Sequence, residues 1–242
     1  MLAVLSVEIR KLHRSLAAVL AVAAPSLIAI FTFFNLLRGK MPMPWEMWMV
    51  SSIGIWSFFM LPMSVTALTA LVAHMEHGPK SWDHLRSLPL PRWRLYAAKA
   101  VIVLAVVAVM SAATLMMTWG AVMLAAAIKP NLTPIGPLDV ALYATTMGKV
   151  FLAAILMVAI QLWTALRFTS FVPALALGIG GTFFSVVATA AKAGVFLPWQ
   201  MPVNMLVSTE AWRVNTALGL GCGLGLVVLA FAVAHLARRE VL

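Results

Sequence analysis

Six stretches of this sequence run for more than twenty residues with almost no charge, and no other feature constrains the fold as tightly. They are about Ser15–Leu37, Met49–Ala73, Ala97–Ile128, Val140–Leu166, Phe168–Ala191 and Val214–Leu236. A helix rises 1.5 Å per residue, so the 23 residues of the first run reach about 34 Å. That is enough to cross a hydrocarbon core of about 30 Å. With 63% apolar and 10% charged residues, the chain has far more apolar surface than a water-soluble core absorbs. The expected fold is therefore an all-α membrane protein with six transmembrane helices, forming a single domain over residues 1–242. The first run is too long for the apolar region of a cleaved signal peptide and reads as a span that stays.

Net charge is +10, which in a soluble domain would suggest nucleic acid. Here the basic residues sit at the ends of apolar runs and read as topology signals. One side collects eleven Lys and Arg, among them Arg10, Lys11, Arg14, Lys80, Arg86, Arg92, Arg94 and Lys99; the other collects six. The imbalance places both termini in the cytoplasm of a multi-pass inner-membrane protein. Lys99 and Lys149 fall near span ends, where a long side chain is expected to snorkel to the interface. The spans otherwise offer neutral polar groups, with no buried charge expected. The third run, 32 residues long, exceeds what a bilayer needs, and its excess is expected to project at the Arg92 end.

Three segments outside the spans carry information. Residues 1–14 place Leu2, Leu5, Ile9 and Leu12 near helical spacing, with Glu8, Arg10, Lys11 and Arg14 on other faces. This suits an amphipathic interfacial helix, or equally an extension of the first span. Residues 192–213 form an extracytoplasmic loop. Its piece from Asn204 to Arg213 reads as a short interfacial helix, or a re-entrant one if protein buries it. The third segment, the cytoplasmic loop 74–96, is the most polar in the chain. Within it Trp82, Leu85 and Leu88 recur at three-residue steps between Pro79 and Pro89, an apolar stripe on a short helix. Such a helix either rests on the inner leaflet or docks as a rigid peg in a protein partner.

The phrase from Glu76-His77-Gly78 through Ser81-Trp82-Asp83-His84-Leu85-Arg86-Ser87-Leu88-Pro89-Leu90-Pro91-Arg92 to Leu95 and Lys99 resembles the loop after the second span of ABC type-2 permeases. It is most similar to the small permeases of lantibiotic-immunity and antibiotic-resistance exporters. Where those loops often begin with acidic or Thr residues, this one has Lys80-Ser81-Trp82. The resemblance implies that residues 79–88 are a coupling helix seated on a separate ATPase chain, with Glu76, Trp82, Asp83, Leu85, Arg86 and Leu88 at or near the contact. It also implies two copies of that ATPase and a second six-span permease, same or homologous. The chain itself would be a translocase subunit rather than an enzyme.

The remaining motifs agree with a chain that has no motor of its own. No glycine-rich phosphate loop ending in Gly-Lys-Ser or Gly-Lys-Thr occurs, so ATP and Mg²⁺ are expected in the partner and no cofactor in this chain. Neither a G-x-S-x-G serine nor an H-E-x-x-H pair is present. His74, Glu76 and His77 lie close together, but at a span end histidine is tolerated as an interfacial residue, and no metal site is expected. Met41, Met43, Met47 and Met49 read as adaptable apolar contacts rather than soft-metal ligands. Gln161, Trp163 and Thr164 are candidates for a cargo path, with plain helix–helix hydrogen bonding as the competing reading. Gly219, Gly221, Gly223 and Gly225 give two overlapping small-xxx-small spacings, suited to core packing or to a dimer seam. The cargo expected of such neutral, Met- and aromatic-rich spans is amphipathic or apolar: a peptide antibiotic, a drug or a lipid-like molecule. The competing functions are a non-transporting membrane scaffold or assembly factor, and an independent secondary carrier.

Overall fold

The computed structural model describes residues 1–77, 91–189 and 191–238. Among them the secondary structure is helical throughout, apart from one isolated β-bridge between Pro44 and Ile135. Five helices are long and apolar enough to cross a membrane.

The chain opens with α1 (Leu2–His13) and α2 (Leu16–Arg38). These are separate helices, so the first span does not simply extend to the N-terminus. Ser15 makes the break: its hydroxyl donates to the Leu12 carbonyl and accepts from the Ala17 N–H, capping α2. The second span is one continuous apolar rod, made of α3 (Trp45–Ile55), a π-helical turn (Trp56–Met60) and α4 (Leu61–His77). In the widened turn Trp56 is fully buried and its indole donates to Ser111 at 3.1 Å.

The next helix, α5 (Arg92–Ile128), has 37 residues and reaches about 55 Å. It begins five residues before the expected Ala97, at the Arg92 end where the excess was expected. Its partner α6 (Val140–Arg167) is capped by Asp139, whose carboxylate accepts from the Leu142 N–H. α6 is the centre of the bundle: 72% of its most apolar window is buried, against 28% for α2 and for the last span. Its alanines at 153, 154, 159 and 165 keep that buried surface thin, so neighbours approach closely.

The expected fifth span, Phe168–Ala191, is shorter than its apolar run. The helix α7 (Val172–Ala188) has 17 residues, about 26 Å, with Pro173 in its first turn. Beyond Ala188 the chain turns through the 3₁₀ segment Lys192–Phe196 into α8 (Met201–Val207). Trp199, Met201, Val203 and Asn204 are buried, and the Trp199 indole lies so close to Gly181 of α7 that a Cβ there would overlap it. α8 is thus a short helix covered by protein, but the helix expected over Asn204–Arg213 does not form as one piece: Asn204–Val207 close α8, and Ala211–Arg213 open the next helix. The apolar residues around α8 are consumed by this internal packing rather than by an extended α7.

The last rod consists of α9 (Ala211–Leu218), a second π-helical segment (Gly219–Leu224) and α10 (Gly225–Arg238). At the end of the bundle that holds Arg38 and Lys129, two connections pair with each other. Ile135 N–H donates to the Met43 carbonyl, Trp45 N–H to the Ile135 carbonyl, and Lys129 Nζ to the Leu37 carbonyl.

Candidate functional site

The site lies at the opposite end, where α4 enters residues 78–90 and α5 leaves them. Glu76 is in the last turn of α4 and Lys99 in the second turn of α5. Both are only 1% exposed. Lys99 Nζ lies 2.9 Å from Glu76 Oε1 and 2.7 Å from Glu8 Oε2 on α1. Lys11, one turn further along α1, reaches Glu76 Oε1 at 2.8 Å and Glu8 Oε1 at 3.2 Å. Among the described residues, two carboxylates and two ammonium groups therefore alternate around a ring. It joins α1 to the two helices that flank residues 78–90.

The geometry overturns two expectations. Lys99 does not snorkel; it turns inward, because two carboxylates wait there. The spans do hold buried charge, since both Glu76 and Lys99 belong to span helices. The face that α1 presents to the bundle also differs from the apolar stripe. Glu8 is 5% exposed while Ile9 is 56% exposed, so the helix is rotated to send its carboxylate in. Removing an ion from water costs several kcal/mol, and only a close, well-bonded partner repays it. Lys99 supplies that compensation to Glu8 and Glu76 together. Burial works against the Lys11 ammonium, yet its hydrogen bond to Glu76 and the charges of Glu8 and Glu76 hold its pKa above the ordinary lysine value.

Glu8 and Lys11 are the residues that sequence reasoning missed. A signal was present: they stand three apart, on one helical face, among Val4, Leu5 and Leu12. Glu8 is also one of only seven acidic residues in the chain.

The other expected site residues fall in different places. Trp82, Asp83, Leu85, Arg86 and Leu88 lie outside the described residues. Gln161 is fully buried; its Nε2 donates to Thr66 Oγ1 at 2.8 Å and to the Ala174 carbonyl at 3.2 Å, stitching α6 to α4 and α7. Gly178 covers this stitch, and a Cβ there would run into both Thr66 Oγ1 and Gln161 Nε2. Thr164 donates back to the Ile160 carbonyl within its own helix. Trp163 is directed elsewhere, donating to His235 Nδ1 on α10 at 3.3 Å. The three are not brought onto one lining.

The four glycines split into two pairs. A Cβ on Gly221 would lie 2.6 Å from Ala153 Cα, and one on Gly225 2.6 Å from Leu156 N, so this pair seats the last rod on α6. Among the described residues nothing lies within 4 Å of such a Cβ on Gly219 or Gly223. Of the methionines, Met49 is buried while Met41, Met43 and Met47 are exposed.

The arrangement can do one thing chemically without bond-making. It can hold α1, the end of α4 and the start of α5 as one body. The family model described as ABC-2 family transporter protein matches residues 4–187, about three quarters of the chain. No curated protein and no solved structure matches. Permeases of that family are transmembrane subunits that normally work with an ABC ATPase. The matched stretch takes in α1 through α7, and with them all four members of the ionic ring, so this multi-pass chain belongs to the ABC-2 family of transporter proteins.

Proposed function

We propose that the chain is the permease subunit of an ATP-driven exporter, whose residues 79–88 take the thrust of a separate ATPase and whose ionic ring passes that thrust to the span bundle. The observation that carries the reading is the ring itself. It binds α1, the end of the second span and the start of the third into a single unit at the roots of the loop. A load applied to that loop is then delivered to two spans and α1 together. Glu76 acts in this reading as the anchor beneath the coupling helix, with Trp82, Asp83, Leu85, Arg86 and Leu88 meeting the ATPase.

The working unit is two such permeases and two ATPases in an inner membrane. Both termini are cytoplasmic, and α7 serves as a short fifth span among six. Cargo leaves along the seam between the permeases and is amphipathic or apolar, of the kind handled by antibiotic- and lantibiotic-resistance exporters. Coupling requires the loop to favour one ATPase state over the other, since equal affinity for both shifts nothing.

The test is reconstitution of the chain with the ATPase encoded beside it. Leu85→Asp with Arg86→Glu is expected to abolish ATPase capture. Replacing the ring by apolar residues of similar volume (Glu8→Leu, Lys11→Met, Glu76→Leu, Lys99→Met together) is expected to keep capture and stability but to remove the stimulation of ATP turnover by cargo. ATPase capture and turnover unchanged by both sets of substitutions would refute the reading.

A further inference from the structure

At the end of the bundle far from the ionic ring, α2 and the second span part to leave an open groove of about 750 Å³. One wall is α2, through Leu27, Phe31 and Phe34, each more than half exposed. The other wall is Ile55, just before the π-helical turn, and Met60, the last residue of that turn. A π turn widens the helix locally and often marks a functional position. Behind the groove Thr32 and Ser52 share a buried hydrogen bond at 3.3 Å, which fixes the spacing of the two walls.

The groove is graded along its length. From Leu27 to Phe34 it is apolar, and at its far end stand Asn35 and Arg38, both exposed, one turn apart on the same helix. Leu27 and Arg38 are separated by about 16 Å along the axis. Among the described residues Arg38 forms no ion pair, so its guanidinium is available to a ligand. A second groove on α2, facing α5 and lined by Ala29, Phe33, Met117 and Leu124, is apolar along its whole length and has no such cation.

We propose that the α2 groove is a binding site for an anionic phospholipid of the surrounding bilayer. An acyl chain lies along Leu27, Phe31 and Phe34, and the phosphate meets Arg38 with Asn35 beside it. The charge argument selects the ligand. A guanidinium presents a planar fork of donors matched to phosphate oxygens, and the amide of Asn35 adds a donor one turn away. The groove opens sideways on a membrane-spanning helix, where the bilayer supplies the occupant without any entry path through protein. This site is independent of the coupling reading, since it shares no residue with the ring or the loop.

The test is native mass spectrometry of the full chain released from detergent after titration with dioleoyl phosphatidylglycerol or dioleoyl phosphatidylcholine. The anionic lipid is expected to be retained about tenfold better, and Arg38→Gln to reduce that preference to about twofold or less. Arg38→Lys keeps part of it, because charge survives while the fork is lost. Lys40→Gln, two residues on, is expected to leave the preference unchanged. Phe31→Ala with Phe34→Ala weakens both lipids alike. The site is overturned if the wild-type chain shows no preference, or if Lys40→Gln erodes it as much as Arg38→Gln, which would mean diffuse surface charge. It is equally overturned if the chain is released as a dimer free of phosphatidylglycerol, the groove then being sealed by a second copy. Should Arg38→Gln not accumulate, Asn35→Leu provides the same comparison through the neighbouring donor.

Discussion

Lys99 and Glu76 are 23 positions apart in sequence and 2.9 Å apart in space, one at each root of the loop they enclose. Both side chains are 1% exposed, so neither charge has water to fall back on. Such a pair adds little net stability over a well-packed apolar substitute, but it is costly to break from one side.

Lys99→Met is therefore expected to destabilise the chain by about 3–5 kcal/mol, because it removes the buried ammonium and leaves the two carboxylates with only the partly exposed Lys11 between them. Glu76→Gln should cost less, since the amide keeps the shape and an acceptor. Thermal unfolding in detergent orders the variants, with the fourfold apolar replacement recovering most of the loss. A Lys99→Met chain as stable as wild type would mean that Lys99 is not held in the ring.

The Lys11 ammonium makes the ring sensitive to alkali rather than to neutral pH. Its folded pKa is raised above the ordinary lysine value of 10.5. A raised pKa contributes stability that is complete below the unfolded value and disappears as pH rises through the folded one. The difference in melting temperature between wild type and Lys11→Met should thus be constant up to about pH 10 and shrink above it. A difference that shrinks instead between pH 6 and 8 would assign the effect to another group.

Gly178 and Gly180 are two residues apart on α7 and should respond in opposite ways to the same change. Gly178→Ala forces a methyl into Thr66 and Gln161, and is expected to cost about 1–3 kcal/mol. Gly180 has open space, so Gly180→Ala should be neutral or stabilise by up to about 1 kcal/mol through helix propensity. Unfolding midpoints of the two variants, measured side by side, check the stitch at Gln161.

The same contrast applies to the last rod. Gly221→Ala is expected to push α6 and the rod apart and lower the melting temperature, while Gly223→Ala leaves it unchanged. Cross-linking of the lone Cys222, which is partly exposed, then reports whether the open side formed by Gly219 and Gly223 meets another copy. Cross-linked dimer that is lost on Gly223→Leu, in a chain that keeps its stability, would place a seam there.

Much of the architecture was legible because apolar length is a local quantity. Val140–Leu166 was expected as a span, and α6 runs Val140–Arg167. The apolar run through Phe168–Ala191 is longer than the helix within it, Val172–Ala188, because composition alone does not show where a helix ends. The packing of Trp199, from beyond the run, on Gly181 is likewise set by the fold. The candidate site was half legible. Glu76 and Lys99 stood out within the loop phrase, whereas Glu8 and Lys11 come from 65 and more positions away.

Chain order alone settled where the apolar rods are, where charge interrupts them, and which loop carries the polar residues. Each of these follows from the transfer energy of a residue and its near neighbours. The partner of Lys99, the inward turn of Glu8, and the division of four glycines into a packed pair and an open pair were decided by tertiary structure. They depend on which helix faces lie opposite one another, and a buried charge or a missing methyl has consequences only once something stands across from it.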